Sequence, residues 1–270
     1  MIELNVSNYG KTILKAVILG GILFLKNKYR QVSFINKEVK IAIIPARGGS
    51  KRIPRKNIRK FHDKPIIAYT IEAALESQVF EEVMVSTDDA EIAEISKKYG
   101  ANVPFFRSAE LSNDMAMTVP VLIDALDRYE KLGIVYAFGC CLYPCAPFVT
   151  AARIKEGMDL LVYSKADSVV PVVKFSFPPQ RSFVMRDGKI SMLYPEHNNS
   201  RSQDLEPLYH DSGQFYCFKT ASLIAENKMF CTNTVPLVLS ELEVQDIDTE
   251  EDWKIAEMKY RILHEKTGEL

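Results

Sequence analysis

Long hydrophobic runs, paired-cysteine motifs, low-complexity tracts and a surplus of either charge are all missing from this chain of 270 residues. A net charge of −1 excludes polyanion binding through overall basicity. The five cysteines, Cys140, Cys141, Cys145, Cys217 and Cys231, are odd in number. No C-x-x-C faces another and no C-x-x-C-H occurs, which argues against zinc ribbons and c-type haem attachment. The thiols are expected to be reduced and at least partly buried. The apolar stretch "TILKAVILGGILFLK" is interrupted or flanked by Lys11, Lys15, Lys26 and Lys28. Its uncharged part would span about 15 Å as a helix, where a bilayer core needs about 30 Å. The following "KNKYRQVSF" offers no small-residue cleavage site. Residues 1–38 are expected to be an extension: a helix packed on the body, a peripheral membrane contact through residues 11–30, or a segment outside the functional fold. Two familiar phosphate loops are missing as well. Neither G-x-x-x-x-G-K-[ST] nor a G-x-G-x-x-G after a strand occurs, so P-loop hydrolases and dinucleotide dehydrogenases lose support.

What is present is ordinary in bulk and regular in pattern. Hydrophobic residues make up 47% and charged residues 26%, a soluble composition able to build a full core. "VKIAIIPA" reads as a buried strand and "KPIIAYTIEAALES" as a helix. "FEEVMVSTDD" is a second strand, "AEIAEISKKYG" a helix closed by glycine, and "VPVLIDALDRYEKLG" another. "IVYAFGCCLYP" and "ADSVVPVVKF" are further strands, with the helix "TAARIKEGMDLLVYS" between them. Strands alternating with helices predict an α/β fold, a Rossmann-like and mainly parallel sheet with helices on both faces. Past it lie a hairpin signal at Arg186–Asp187–Gly188, the strand–helix "GQFYCFKTASLI", and a final helix begun by Thr249. Residues 175–212 read as a small insertion or flap on a single domain spanning 39–270.

The chemistry concentrates at "IAIIPARGGSKRIPRKN", residues 41–57. A buried strand turns there into a loop carrying Arg47, Lys51, Arg52, Arg55 and Lys56. Ligands of open α/β sheets sit beyond the carboxyl ends of the strands. Gly48 and Gly49 let backbone N–H groups approach a ligand, arginine grips phosphate bidentately, and lysine adds a point charge. A polyphosphate fits this combination better than a solvated basic turn does.

The loop resembles the nucleotide loop of the CMP-sialic acid synthetase (acylneuraminate cytidylyltransferase) family, roughly A-R-x-x-S-K-x-x-P-x-K-N. Arg47, Ser50, Lys51, Pro54, Lys56 and Asn57 match it. The resemblance continues in order through "VSTDD" (85–89), "FRSAELSND" (106–114), Y-P-x-x-P (143–147), "SRSQDLEPLYHDSGQFY" (200–216) and "QDIDTEED" (245–252). It covers about residues 40–265. Sialic acid enzymes tend to carry L-Q-P-T-S-P-L-R after the third strand; here Tyr143 stands for the glutamine and Val149 for the arginine. Asn198 replaces an acidic residue some of them carry. "YPCAPF", "RSQDL" and "YHDSGQFY" look like the pseudaminic acid branch, an assignment carried by resemblance and not by residue chemistry. Legionaminic and N-acetylneuraminic acid are the alternatives.

The resemblance implies a nucleotidyltransferase in which the anomeric hydroxyl of an acidic nine-carbon sugar attacks the α-phosphate of CTP. Pyrophosphate leaves, and the CMP-sugar serves surface glycan or flagellin glycosylation. Arg47 and Lys51 would hold the triphosphate and act catalytically, helped by Gly48, Gly49, Ser50 and Lys56, with Asn57 at the ribose end. Arg107 would lie by the cytosine; Asp114, in the same segment, can also be read as a helix-start residue. Arg201 would meet the sugar carboxylate, with Tyr209, His210, Asp211 and Gln214 on the sugar side. In "DID", Asp246 and Asp248 point the same way along an extended segment. On the residues alone they are equally a Mg2+ pair or an N-cap cluster; the resemblance favours Mg2+. The family further implies a homodimer in the cytoplasm, where CTP is found. Competing readings are a sugar-1-phosphate nucleotidyltransferase, which would want a second basic cluster, and a non-catalytic relative. A nucleic-acid module would want a wider basic patch with interleaved aromatics, so no nucleic-acid partner is expected.

Overall fold

Strand β1 (Lys40–Pro45) lies in the middle of the fold because both of its faces are apolar. Ile41 and Ile43 point to one side of the sheet, Ala42 and Ile44 to the other, and all four are fully buried. The computed structural model describes residues 38–265. The expected N-terminal extension and its 11–30 segment lie outside the described residues, save Glu38. Among the described residues no helix is long and apolar enough to cross a membrane.

β1 is followed by a short hairpin of β2 (Lys60–Phe61) and β3 (Lys64–Pro65), then by α1 (Ile66–Glu76) and β4 (Glu82–Ser86). Next come α2 (Ala90–Lys98), α3 (Thr118–Lys131), β5 (Phe138–Leu142), α4 (Ala151–Tyr163) and β6 (Ser168–Lys174). The remainder is β7 (Phe183–Arg186), β8 (Lys189–Met192), β9 (Tyr209–Asp211), β10 (Phe215–Lys219), α5 (Thr220–Glu226), β11 (Thr234–Val238) and α6 (Glu250–Glu265).

The main sheet runs β11-β6-β10-β5-β1-β4, with β9 also paired to β6. β4, β1 and β5 are mutually parallel, as are β6 and β11, whereas β9 and β10 run antiparallel to their neighbours. The α/β expectation therefore holds with a mixed sheet. β9, β11 and the small β2–β3 hairpin add strands that the sequence pattern does not announce. Helices cover both faces: α1, α2 and α4 pack on one, α3 and α5 on the other. β1 has β4 on one side and β5 on the other, so the chain reverses direction across the sheet at this strand. Its carboxyl end is a topological switch point, the usual place for a ligand.

A third apolar cluster fixes α6 against the basic loop. Trp253 and Ala256 of α6 pack with Ile53, Phe61, Ile66 and Ile247. Arg59 stacks its guanidinium 4.3 Å from the Trp253 ring and pairs with Glu250 at 2.5 Å. Residues nearly 200 positions apart are thereby brought together, which places the "DID" segment beside the loop.

The hairpin expected at Arg186–Asp187–Gly188 is β7–β8, and its turn residues Asp187 and Gly188 have φ of 51° and 70°. That left-handed pair is the tight hairpin turn that matches strand twist.

Candidate active site

The basic loop leaves β1 at Ala46 and returns through a short 3-10 turn at Lys56–Ile58. Every one of its expected cations has a carboxylate partner. Arg47 donates from Nη1 to Asp114 Oδ1 and to the Asn113 carbonyl, both at 3.0 Å. Lys51 pairs with the other oxygen of the same Asp114. Arg52 meets Asp248 at 2.8 Å, and Lys56 lies 3.6 Å from the same oxygen while donating to the Ile247 carbonyl at 2.5 Å. Arg55 grips Asp89 at 2.5 and 3.1 Å and Glu91 at 2.5 Å.

These pairs are of two kinds. Asp89 caps α2 by accepting from Ile92 N at 3.0 Å, so Arg55 is committed to holding the loop on that helix. Asp114 is exposed, and the Lys51 ammonium holds its carboxyl below the usual range. Exposed ion pairs of this sort are weak and exchangeable. A polyanion entering the loop can take Arg47 and Lys51 from Asp114, and Arg52 and Lys56 from Asp248. Asp114 is thus a partner of the loop and not a helix-start residue; α3 begins at Thr118.

The two glycines differ. A Cβ on Gly48 would sit 2.7 Å from Asp89 Oδ2, so the close approach of the loop to α2 requires glycine. Its N–H, expected to face a phosphate, is taken by Asp88 Oδ1 at 2.9 Å. Nothing lies within 4 Å of a Cβ on Gly49, which leaves that side of the loop open. Ser50, half-buried, closes the turn by donating its N–H to the Gly48 carbonyl at 3.1 Å.

Asn57 is corrected from a ribose contact to a brace. It is 5% exposed, its Nδ2 donates to the Arg47 carbonyl at 2.8 Å, and its Oδ1 accepts from Cys145 Sγ at 3.2 Å. Arg107, expected by the cytosine, is likewise buried at the end of β4. It donates from Nε to Ser86 Oγ at 3.1 Å and from Nη2 to the Ser86 carbonyl. Desolvation lowers its pKa, but Asp88 opposes the shift. Its side chain ties the 107–111 turn to β4.

The "DID" segment answers the choice left open by its residues. The cap of α6 is Thr249, whose Oγ1 accepts from Asp252 N at 3.2 Å while Asp252 accepts the Thr249 N–H at 2.8 Å. Asp248 is therefore not the cap. Ile247 is buried in the third cluster, so Asp246 and Asp248 lie on the opposite side of the segment. Asp246 faces Gly213, and its carboxyl is raised by desolvation and by the nearby charge of Asp248. With Arg52 and Lys56 drawn to a polyphosphate, the two crowded carboxylates would fit a hard divalent cation, whose other positions would take water and phosphate oxygens. Among the described residues no larger set of His, Cys, Asp and Glu gathers as a metal site.

Next to Asp246 opens a cleft of 390 Å³ lined also by His210, Asp211, Ser212, Glu241 and Lys259. His210 donates from Nδ1 to the Asp211 carbonyl at 2.9 Å, so a neutral ring presents Nε2 as its acceptor. The Ser212 hydroxyl is buried without a hydrogen-bond partner. Asp211 accepts from Tyr216 OH at 2.6 Å, and Tyr216 meets Tyr143 edge-on at 5.5 Å. Of the residues expected on the sugar side, His210 and Asp211 line the cleft. Gln214 is 2% exposed and donates to the Glu243 carbonyl at 2.6 Å, a support of the cleft wall. Tyr209 is exposed on β9. Arg201 projects to solvent and pairs with Asp204 at 2.7 Å, away from the cleft. Ser212 lies in the 200–216 motif but is not among the residues expected there, and Lys259 enters from α6, whose sequence carries no pattern to mark it.

Comparison with known proteins agrees with this geometry. The family model described as Cytidylyltransferase matches residues 41–174, from β1 through β6. The chain is 39% identical to the pseudaminic acid cytidylyltransferase of Campylobacter jejuni, over 83% of this chain and 97% of that one. It is 38% identical to the CMP-N,N'-diacetyllegionaminic acid synthase of Legionella pneumophila, over 80% and 94%. The solved structure of CMP:2-keto-3-deoxy-manno-octonic acid synthetase complexed with CTP shares the fold, with TM-score 0.60 and 15% identity over 84% of this chain and 99% of that one. With the family model covering the basic loop and a relative at 39% identity aligned over nearly its whole length, the chain belongs to the cytidylyltransferase family, a family of nucleotidyltransferases.

Proposed function

We propose that this enzyme transfers CMP from CTP to pseudaminic acid, releasing pyrophosphate. The observation that carries the reading is the convergence of four exchangeable cations, Arg47, Lys51, Arg52 and Lys56, with the carboxylates Asp246 and Asp248 at the carboxyl end of β1. Arg47 and Lys51 bind the triphosphate and offset charge on the departing pyrophosphate, which is most of what phosphoryl-type transfer asks of a protein. The cleft beyond Asp246 receives the sugar, whose anomeric oxygen forms the new bond to the α-phosphorus as the α–β bridge breaks. Asp246 and Asp248 would hold Mg2+. Bound there, the ion would lower the pKa of the attacking hydroxyl and screen the phosphates. The cytoplasm, where CTP is found, is the proposed location. The product would feed a glycosyl transfer to surface glycan or flagellin.

Pseudaminic acid is favoured by the relatives of that name, at 39% identity over most of the chain; Tyr143, half-buried beside Tyr216 and linked to Thr118 Oγ1 at 3.3 Å, stands where sialic acid enzymes tend to carry glutamine. The legionaminic acid relative, almost as similar as the pseudaminic one, supports a second reading with that sugar. Incubation with CTP, Mg2+ and pseudaminic acid should give a species with one phosphorus and the mass of a CMP-sugar. Recovery of unchanged CTP with every nonulosonic acid would refute the reading.

A homodimer is part of the proposal. The β7–β8 hairpin pairs with no third strand among the described residues. It exposes Phe183, Met185 and Ile190, with Met185 76% exposed. An isolated hairpin is marginal in water and needs something to pack against. A second copy is the expected cover. Met185→Asp with Ile190→Asp should convert a dimer to a monomer by light scattering; an unchanged mass would remove the hairpin from the interface.

A further inference from the structure

Asn57 lies at the centre of a chain of contacts that begins on α1 and ends at the triphosphate loop. Thr70, fully buried on α1, donates from Oγ1 to the Tyr143 carbonyl at 3.1 Å and approaches the Ala146 carbonyl at 3.5 Å. This fixes the turn after β5 that carries Cys145, and prolines at 144 and 147 stiffen it further. From that turn Cys145 Sγ reaches Asn57 Oδ1 at 3.2 Å, and Asn57 Nδ2 reaches the Arg47 carbonyl at 2.8 Å.

The chemistry of the groups permits one arrangement. A backbone carbonyl can only accept, so the amide nitrogen of Asn57 must face Arg47. The amide oxygen then faces the sulfur and needs a donor. Cys145 supplies one as a protonated thiol, and burial keeps it protonated, with its pKa pushed up to about 12. Were the amide to turn over, two acceptors would meet at Arg47, in a site where an unpaired polar group is costly.

We propose that Cys145 is a positioning residue of the nucleotide site: its thiol orients the Asn57 amide, which holds the Arg47 backbone and so the loop bearing Arg47 and Lys51. The inference rests on the CTP reading of that loop. It gives a role to Cys145, which is half-buried where the other four cysteines are buried. It also joins the turn after β5 to the loop on the nucleotide side.

The test is calorimetric CTP binding with Mg2+, beside steady-state kinetics, for wild type, Cys145→Ala, Cys145→Val and Cys145→Ser. Alanine and valine remove the donor and should weaken CTP binding and raise its KM about tenfold, the cost of one unsatisfied buried hydrogen bond. The KM for the sugar should stay near wild type. Serine restores a donor and should recover CTP binding to within about threefold, although its shorter bond reaches less far. Wild-type CTP affinity in the alanine variant, or serine as damaging as alanine, would overturn the role of the thiol. Failure of the wild type itself to bind CTP would overturn the nucleotide reading and this inference with it.

Discussion

Replacing Lys51 with alanine is expected to lower kcat/KM for CTP by about 10²–10³-fold, the usual cost of removing one preorganised charge from a transition state. Lys51 is the most exposed of the loop cations for which an ion pair is formed, and its partner Asp114 is shared with Arg47. Neither contact fixes the fold, so the loss should fall on chemistry and leave the melting temperature little changed. Arg55→Ala supplies the contrast. Its guanidinium is spent on Asp89 and Glu91, and Asp89 caps α2. That variant should lose stability while keeping most of its activity at a temperature where it remains folded. The comparison is read from steady-state kinetics and thermal melts on the two proteins. A Lys51 variant no more impaired than the Arg55 variant would take the triphosphate away from this loop.

Asp246→Asn is expected to abolish transfer and to raise the melting temperature at neutral pH. The first effect follows from the proposed metal: loss of a ligand forfeits several kcal/mol of transition-state stabilisation, roughly 10³-fold in rate. The second follows from the environment of the carboxylate. Desolvation and Asp248 raise its pKa in the folded protein. A carboxyl raised on folding binds its proton more tightly in the native state than in the unfolded chain. Ionising it therefore costs stability as pH rises through the carboxylate range, and the whole cost is present at neutral pH. Asparagine carries no such cost, so its advantage should be largest near pH 7 and fade in acid, below the ordinary carboxylate value of about 4. Added Mg2+ should raise the melting temperature of the wild type more than that of the variant. A variant destabilised at neutral pH, or as responsive to Mg2+ as the wild type, would remove Asp246 from the proposed metal pair.

The elements most legible in the sequence were those governed by short-range pattern. The alternation of Ile41, Ala42, Ile43 and Ile44 marks a doubly covered strand, and the Asp187–Gly188 turn marks a hairpin. β10 was read as a strand, but its antiparallel direction depends on the flap that precedes it, which no local periodicity reports. β11 carries a proline at 236 and borders the sheet, a placement that the sequence pattern does not announce.

The site was legible in outline, and its internal wiring was not. A basic loop after a buried strand shows that an anion is wanted. It does not show that Asp114 and Asp248 already occupy those cations, because both carboxylates come from distant segments that the third apolar cluster and the 107–111 turn bring near. Asn57 and Gln214 carry side chains suited to ligand contact, yet each satisfies a backbone carbonyl that would otherwise be buried and unpaired. Arg201 illustrates the opposite error. Its charge suits a sugar carboxylate, but a residue on an exposed turn pairs with its neighbour at i+3 before it reaches the cleft. The start of the final helix at Thr249 was legible, and the T-x-x-D spacing accounts for it, since Asp252 reciprocates the cap as an acidic third residue should.

The most direct test of the central claim is pyrophosphate release by the purified protein with CTP and Mg2+, run in parallel with pseudaminic acid, N,N'-diacetyllegionaminic acid and N-acetylneuraminic acid. Release with pseudaminic acid well above that with either other sugar is the predicted result. Release with none of the three, from a protein that melts cooperatively, would contradict it.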